Sequence, residues 1–157
     1  MNYHNITTRD MKNGDGLRVV LWLAGCSHHC KGCQNPQTWN PESGILFDNS
    51  AREEIFAELK EEYCSGITLS GGDPLYEGNR LEVLNLCKQI IAEYPNKTIW
   101  LYTGYTLAQI KELFPQILPY IDVLVDGRYE EDKRDIEIAW RGSTNQIVHY
   151  LKEGRCE

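Results

Sequence analysis

Long apolar runs and repeated segments are missing from this sequence. A membrane-spanning helix requires about 20 consecutive apolar residues, and no stretch of this sequence is nearly that long. Residues 1–10 are polar and lack a signal-peptide pattern. We therefore expect a cytoplasmic protein. Its 157 residues, 41% of them hydrophobic, suit one compact domain with its own core and leave no room for a second domain.

A surplus of positive charge is also missing. The formal net charge is -7, and acidic residues concentrate at positions 53–62 and 130–137. Each acidic run on its own is typical of a solvated surface. Together they argue against nucleic acid or an anionic membrane as the partner.

Cysteine is the residue type that stands out. Six occur in the chain, and Cys26, Cys30 and Cys33 crowd within eight positions. In a protein expected in a reducing compartment, such crowding favours metal binding over disulfide bonds. Cys87 falls on the apolar stripe of a predicted helix and is expected in the core, while Cys156, beside the last residue, is expected to be an incidental thiol.

Three ligands are the informative number in the cysteine loop, residues 26–33. A structural zinc site normally closes with four ligands, and a ferredoxin-type cluster also uses four cysteines. Three cysteines leave one iron of a 4Fe-4S cluster open to a substrate. The alternative is a Cys3His zinc site with His28 or His29 as the fourth ligand. Outside such a site, we interpret these histidines as solvent-facing spacers or as hydrogen-bond donors to cluster sulfurs.

Apolar strands and amphipathic helices alternate along the chain. The pattern predicts strands at residues 17–24, 66–70, 98–103 and 120–125, and helices at residues 51–63, 80–93 and 106–115. Ser50 with Glu53, and Thr106 with Gln109, are predicted to form capping boxes at two helix starts. This alternation predicts an α/β fold in which parallel strands are joined by helical crossovers.

Polar and metal-binding residues follow each predicted strand. The cysteine loop follows the first strand, Ser70-Gly71-Gly72-Asp73-Pro74 ends the second, Thr103 ends the third and Asp126 follows the fourth. Because the carboxyl ends of parallel strands meet at one edge of a sheet, we expect these residues to share one rim. Thr103 and Asp126 are candidates there for binding ribose or a cation, although strand ends before glycine turns need no ligand.

The spacing Cys-x3-Cys-x2-Cys, on a loop just after a strand, resembles that of the radical S-adenosylmethionine enzymes. The resemblance implies a 4Fe-4S cluster held by Cys26, Cys30 and Cys33. It also implies S-adenosylmethionine as the second cofactor, whose methionine part would chelate the open iron.

A second motif carries the same resemblance. Ser70, Gly71, Gly72 and Asp73 look like the family's GGE motif with aspartate in place of glutamate, and the motif would hold the methionine amino group. Three consecutive loop residues are implied to contact the adenine through their backbone: Gly32, Cys33 and Gln34. Many relatives carry an aromatic residue immediately after the third cysteine, where this chain has glutamine.

Nearly the whole chain resembles the family of anaerobic ribonucleoside-triphosphate reductase activating proteins. The motifs that carry this resemblance are the Asn-Gly-x-Gly turn, the cysteine loop, Ser70 to Leu75, the Trp-x2-Thr-Gly-Tyr segment, Val125 to Gly127 and Trp140 to Gln146. The resemblance implies that flavodoxin or ferredoxin supplies an electron, that S-adenosylmethionine is cleaved reductively, and that a glycyl radical forms on the large subunit of the reductase. Since the chain is shorter than most relatives, the implied fold is an abbreviated, open, partial TIM-like barrel of mostly parallel strands.

Two other functions stay open at this point. The same site could activate another glycyl radical enzyme, such as pyruvate formate-lyase, and a zinc-stabilised loop could serve an interaction module without chemistry. The segment Trp140 to Gln146 carries a guanidinium, two hydroxyls and two amides, which suits contact with a peptide or with a cofactor. Trp100 and Trp140 themselves are predicted to be packing residues.

Overall fold

The computed structural model describes residues 1–152, whose strands form a single open sheet. The strands are β1 (Asn2–Asp10), β2 (Leu17–Leu23), β3 (Ile45–Leu46), β4 (Cys64–Gly71), β5 (Thr98–Tyr102), β6 (Val123–Asp126) and β7 (Ile147–Tyr150). The α-helices are α1 (Asn49–Leu59), α2 (Arg80–Glu93) and α3 (Leu107–Leu113). Short 3-10 helices occur at Pro36–Thr38, Pro115–Tyr120 and Glu131–Lys133.

The centre of the sheet is parallel and its edges are antiparallel. The strand order is β3-β1-β2-β4-β5-β6-β7, in which β2, β4, β5 and β6 run parallel. Strands β1 and β3 on one side and β7 on the other pair antiparallel. The predicted α/β fold is confirmed, but the sheet is only partly parallel and does not close over the described residues. A TIM-like barrel is therefore not confirmed.

The sequence analysis did not predict the three antiparallel strands, β1, β3 and β7. Strand β1 reads NYHNITTRD and has no fully buried side chain, and β7 is half-buried at its two central positions and exposed at its ends. A strand at or near a sheet edge contributes few side chains to the core, so its sequence need not contain an apolar run. Polarity therefore hides β1, whereas β3 and β7 are only two and four residues long, too short to show a clear pattern.

Helix α1 begins and ends differently from the prediction. Its N-cap is Asp48, whose carboxylate accepts a hydrogen bond of 3.0 Å from the backbone N–H of Ala51. The predicted capping box of Ser50 and Glu53 is therefore wrong. An aspartate two residues earlier satisfies the free N–H groups at the helix start equally well. The helix is also shorter than predicted and ends at Leu59.

Helices α2 and α3 agree more closely with the prediction. Helix α2 spans the predicted residues 80–93. At the start of α3, the backbone N–H of Gln109 donates to the Thr106 hydroxyl at 3.2 Å, and the Thr106 N–H donates to the Gln109 side chain at 2.9 Å. This capping box is confirmed. None of the helices in the described residues combines the length and the apolar character that crossing a membrane requires.

The helices pack on one face of the sheet. Strand residues such as Leu69 and Leu101 and helix residues such as Ile55 and Leu86 share one large core cluster. Side chains alternate between the two faces along a strand, so Trp100 in β5 belongs to a smaller cluster on the opposite face. The core thus leaves the second face available for a site.

Arg18 fills the amino-terminal part of this second face. Its side chain is 1% exposed, and its guanidinium donates to the hydroxyls of Thr68 and Thr98, both at 2.9 Å. It also donates to the carbonyl oxygens of Ile67 and Thr98, both at 2.8 Å, and lies 5.5 Å from the Trp100 ring. These bonds satisfy a buried charge that would otherwise destabilise the fold strongly.

The remaining cysteines and tryptophans serve the packing. Cys87 is completely buried, as predicted, and burial raises the pKa of its thiol from 9.0 to about 12. Cys64 is buried as well. The rings of Trp100 and Trp140 pack edge to face with centroids 5.5 Å apart, which confirms their predicted packing role. Cys156 lies outside the described residues.

We expect Cys87→Ala to lower the free energy of unfolding by about 1 kcal/mol at neutral pH, because the smaller side chain leaves a cavity in the core. Folding holds the thiol in its protonated form, so its contribution is complete below pH 9 and declines as the pH rises from 9.0 towards about 12. Urea unfolding at pH 7, 9 and 10.5 should therefore show the difference from the unsubstituted protein shrinking with pH. A difference that grows above pH 9 would contradict this account.

Candidate functional site

A cavity opens at the carboxyl ends of the four parallel strands. Its volume is about 470 Å³, within the range of about 300 to 1,000 Å³ that small-molecule sites occupy. The predicted site residues that line it are Cys26, Cys30, Cys33, Gln34, Ser70, Gly71, Gly72, Asp73 and Thr103. The structure therefore brings nearly all of the predicted site together, with Gly32 and Asp126 outside the lining.

The cysteine loop is fixed where it leaves β2. The backbone N–H of Gly25 donates to the carbonyl of Thr38 at 2.7 Å, and that of Cys26 donates to the carbonyl of Trp39 at 3.0 Å. The chain entering the loop is thus paired with the chain leaving it. This pairing places the first cysteine at the rim without using its side chain.

A tight turn carries the second and third cysteines. The N–H of Cys33 donates to the carbonyl of Cys30 at 3.1 Å, and Gly32 between them has a φ of +75°, which glycine adopts without steric cost. The Sγ of Cys33 accepts a hydrogen bond from the N–H of Asn35 at 3.4 Å. Since Gly32 does not line the cavity, its observed contribution is to the turn.

The donor set fits an iron-sulfur cluster. Cys26, Cys30 and Cys33 are free thiols of intermediate exposure, and burial raises the pKa of Cys26 and Cys30 above its ordinary value. Within residues 1–152, no three His, Cys, Asp or Glu side chains converge as a single metal ion requires. A 4Fe-4S cluster presents its irons at separate corners, so its thiolate ligands need not converge on one point. Three cysteine thiols on one loop are therefore a donor set that fits such a cluster.

The turn after β4 packs directly against the cysteine loop. The N–H of Gly72 donates to the carbonyl of Leu23, and the N–H of Asp73 donates to the carbonyl of Gly25, both at 2.7 Å. Gly71 has a φ of +104°, and a Cβ atom there would collide with the backbone of Leu23. The two glycines therefore allow an approach that no larger residue permits.

The Asp73 carboxylate is buried and is already hydrogen-bonded on both oxygens. The residue is 1% exposed. Its Oδ1 accepts from the N–H of Leu75 at 2.8 Å and from the hydroxyl of Thr103 at 2.9 Å. Its Oδ2 accepts from the N–H of Gly104 at 3.0 Å and lies 2.7 Å from the Nε2 of His28. An ammonium group would have to compete with these four partners for the carboxylate.

The two loop histidines have different environments. The side chain of His28 is 4% exposed and packs edge to face with Tyr105 at 4.6 Å, so its interpretation as a solvent-facing spacer is wrong. Its Nδ1 is buried and has no hydrogen-bond partner in the described chain. His29 is exposed, as a spacer would be, and its ring stacks on Trp39 at 4.5 Å.

Asp126 does not reach the cavity. Its Oδ2 accepts a hydrogen bond of 2.7 Å from the N–H of Leu107, the first residue of α3, and lies 3.1 Å from the Nε2 of His149. These contacts fix the start of the helix. Both contacts are made by Oδ2, and Asp126 is not among the residues that line the cavity. Thr103 does line the cavity, but its hydroxyl donates to Asp73.

The segment 140–146 forms another wall of the cavity. The side chain of Gln146 accepts from the N–H of Gly142 and donates to the carbonyl of Gly127, both at 2.9 Å, which ties the segment to the end of β6. Arg141 lines the cavity and donates through Nη1 to the carbonyl of Gln146 at 3.1 Å, whereas its Nε has no partner in residues 1–152. The unusual composition of this segment singled it out in the sequence as a candidate contact region. The composition alone did not show that the segment lies at the cavity.

Tyr102 is a cavity residue that sequence reasoning missed. It lies at the end of β5, where an aromatic residue reads as part of the strand. Its hydroxyl is buried and unpartnered in the described chain, and burial raises the pKa of the phenol well above its ordinary value. The phenol therefore keeps its proton and can donate it in a hydrogen bond to a ligand.

Comparison with known proteins first places the chain in a class. Residues 12–149 match the model of the family described as a 4Fe-4S single cluster domain. This match covers the cysteine loop, the β4 turn and the segment that walls the cavity.

Full-length relatives narrow the class. Proteins named anaerobic ribonucleoside-triphosphate reductase-activating protein match this chain in Vibrio cholerae, with 44% identity over 95% of this chain and 97% of the relative. Similar matches occur in Pasteurella multocida, with 44% identity over 95% and 97%, and in Escherichia coli, with 42% identity over 97% and 100%. The chain therefore belongs to the family of anaerobic ribonucleoside-triphosphate reductase-activating proteins.

We expect Gly71→Ala to destabilise the protein by at least about 2 kcal/mol, because the new Cβ meets the Leu23 backbone at a positive φ. Gly78→Ala is the matched control, since Gly78 is exposed and a Cβ there has ordinary van der Waals room. Thermal unfolding of both variants measures the difference. Equal melting temperatures would show that the close approach of β4 to β2 is not required.

Proposed function

We propose that this protein activates an anaerobic ribonucleotide reductase by generating a glycyl radical on the large subunit of that enzyme. The observation that carries the proposal is the cavity, where the three-cysteine loop and the glycine turn after β4 meet. A chain of the activating-protein family with this arrangement has what the activity requires. The chemistry is supplied by cofactors, and the protein positions them and excludes water.

In this proposal the three cysteines hold a 4Fe-4S cluster at the cavity wall. When bound, the cluster supplies the electron for the reductive cleavage of S-adenosylmethionine to methionine and a 5'-deoxyadenosyl radical. Cys26, Cys30 and Cys33 would be its ligands, and the fourth iron would have no cysteine ligand from this loop. No side chain is needed as a general base, because the radical takes a hydrogen atom rather than a proton.

The lining of the cavity suits the charged methionine part of S-adenosylmethionine. Lys12, Arg134 and Arg141 are basic, and Asp135 is acidic, so both an ammonium and a carboxylate group can find partners. The hydroxyl of Tyr102 adds a donor without charge. A cavity with one sign of charge would not accommodate a zwitterion as well.

Backbone contacts complete the proposed cofactor site. The stretch from Ser70 to Gly72 lies beside the cysteine loop and is proposed to hold the methionine amino group through its carbonyl oxygens. The backbone of residues 32–34 is proposed to contact the adenine. Gln34 is exposed at the cavity, where its amide can hydrogen-bond a purine although it cannot stack as an aromatic ring does.

The proposed partners are those that the family resemblance implies. A flavodoxin or a ferredoxin supplies the electron, and nucleic acid and membranes are not partners, in keeping with the net charge of -7. The protein works in the cytoplasm as a single domain. Its sheet corresponds to an abbreviated TIM-like barrel, and the open side would admit the glycine-bearing segment of the reductase.

We expect Cys26→Ala, Cys30→Ala and Cys33→Ala each to abolish the formation of 5'-deoxyadenosine, because each removes a cluster ligand. The measurement is anaerobic reconstitution with iron and sulfide, followed by dithionite and S-adenosylmethionine. Cys87→Ala is the matched control and should keep full cluster content, since Cys87 lies in the core. Full turnover by any of the three loop variants would refute the ligand assignment.

The client enzyme can be tested separately. We expect a glycyl radical signal in electron paramagnetic resonance when the reconstituted protein is mixed with the large subunit of an anaerobic ribonucleotide reductase and S-adenosylmethionine. Pyruvate formate-lyase is the comparison client and should stay silent. A radical that appears only in the lyase would overturn the assignment, and zinc without labile sulfide in the purified protein would favour an interaction module.

A further inference from the structure

We propose that His28 and Asp73 form a buried clamp that positions the cysteine loop against the ends of β4 and β5. The Asp73 carboxylate thus serves as the anchor of this clamp rather than as the acceptor of the cofactor's ammonium group. The inference rests on the proposed function in so far as the loop holds a cluster. The clamp itself consists only of side chains and backbone groups of this chain.

The position of His28 explains how a clamp can act on the metal site. His28 lies between Cys26 and Cys30, in the part of the loop that the backbone bonds at Gly25 and Cys26 do not reach. Its Nε2 is 2.7 Å from the Asp73 Oδ2. Because a carboxylate can only accept a hydrogen bond, the Nε2 carries the proton and donates it. The bond therefore ties the middle of the loop to the turn after β4.

The residues around the His28 imidazole leave a space that the ring fills. A Cβ atom at Gly104 would collide with the Cδ2, Nε2 and Cγ atoms of the His28 ring, so the ring occupies space that only a glycine leaves free. The ring of Tyr105 packs edge to face with the imidazole, and the two ring centroids are 4.6 Å apart. A side chain that served as a spacer would not need a closed pocket. The pocket is formed by the residues that follow β5, so the clamp joins three segments of the rim.

The hydrogen bonds of Asp73 determine its orientation. The bond from the N–H of Leu75, two residues ahead, is possible because the aspartate side chain is short. Bonds from Thr103 and Gly104 hold the same carboxylate against the end of β5. A glutamate would carry its carboxylate one methylene further and could not keep these bonds together with the one from His28. The aspartate at this motif position therefore fits the clamp.

The test uses cluster-free protein first, so that it does not depend on catalysis. Amide hydrogen exchange of residues 26–33 is compared in the unsubstituted protein, His28→Ala, Asp73→Asn and the double variant. Loss of a hydrogen bond to a charged group should speed the exchange of this loop by about tenfold in each single variant. The double variant should exchange no faster than Asp73→Asn alone, because the two substitutions share the His28–Asp73 contact and Asp73→Asn also disturbs the bonds from Leu75, Thr103 and Gly104.

Controls separate the clamp from general destabilisation. His29→Ala should leave the exchange of the loop within about twofold of the unsubstituted protein, since His29 is exposed and does not contact Asp73. His28→Gln keeps an N–H donor at similar reach and should restore part of the protection that His28→Ala loses. Exchange in helix α2 should stay unchanged in all variants.

A second measurement follows the cluster. In reconstituted protein without S-adenosylmethionine, His28→Ala and Asp73→Asn should shift the electron paramagnetic resonance spectrum of the reduced cluster in the same way. Loop exchange equal to that of the unsubstituted protein in His28→Ala, or additive effects in the double variant, would overturn the clamp. So would Asp73→Asn if it raised only the KM for S-adenosylmethionine. Failure of the unsubstituted protein to cleave S-adenosylmethionine would instead contradict the proposed function. The exchange result would still test the clamp, because it is measured without the cluster.

Discussion

The close approach of the β4 turn to the end of β2 is the constraint on which the site depends. Two backbone bonds of 2.7 Å, from Gly72 to Leu23 and from Asp73 to Gly25, hold the turn against the start of the cysteine loop. They are possible only because the residues at 71 and 72 lack side chains. The cavity exists because the parallel strands end at one level and these loops then meet.

The central strands could be predicted from the sequence, and the edge strands could not. Strand β2 is buried on both faces and therefore reads as the apolar run LRVVLWL. Strand β1 pairs with β2 along most of its length, yet none of its residues is fully buried. A polar sequence at an edge carries no signal of its own, because the strand is defined by its neighbour. For the same reason the sequence could not distinguish an open sheet from a partial barrel.

Part of the candidate site could likewise be predicted from the sequence, and part of it could not. The cysteine spacing and the strand-end rule placed the loop, the β4 turn and Thr103 on one rim without any structure. What the sequence could not give is how polar side chains pair through space. The carboxylate of Asp73 meets a histidine 45 positions earlier, whereas Asp126 turns to the start of α3. Both aspartates lie at or just beyond the end of a strand and look equivalent in the sequence, and only packing separates them.

Buried polar atoms differ in how fully they are hydrogen-bonded between the two halves of the second face of the sheet. In the half beneath the cavity, Arg18 donates at least five hydrogen bonds to hydroxyl and carbonyl oxygens. At the cavity, the described structure leaves three lining atoms buried and unpartnered: Nδ1 of His28, the hydroxyl of Tyr102 and Nε of Arg141. Each such atom destabilises the folded chain unless something else bonds to it. These three groups belong to residues that line the cavity, so the cost of leaving them unpaired falls when a polar cofactor that bonds to them occupies it.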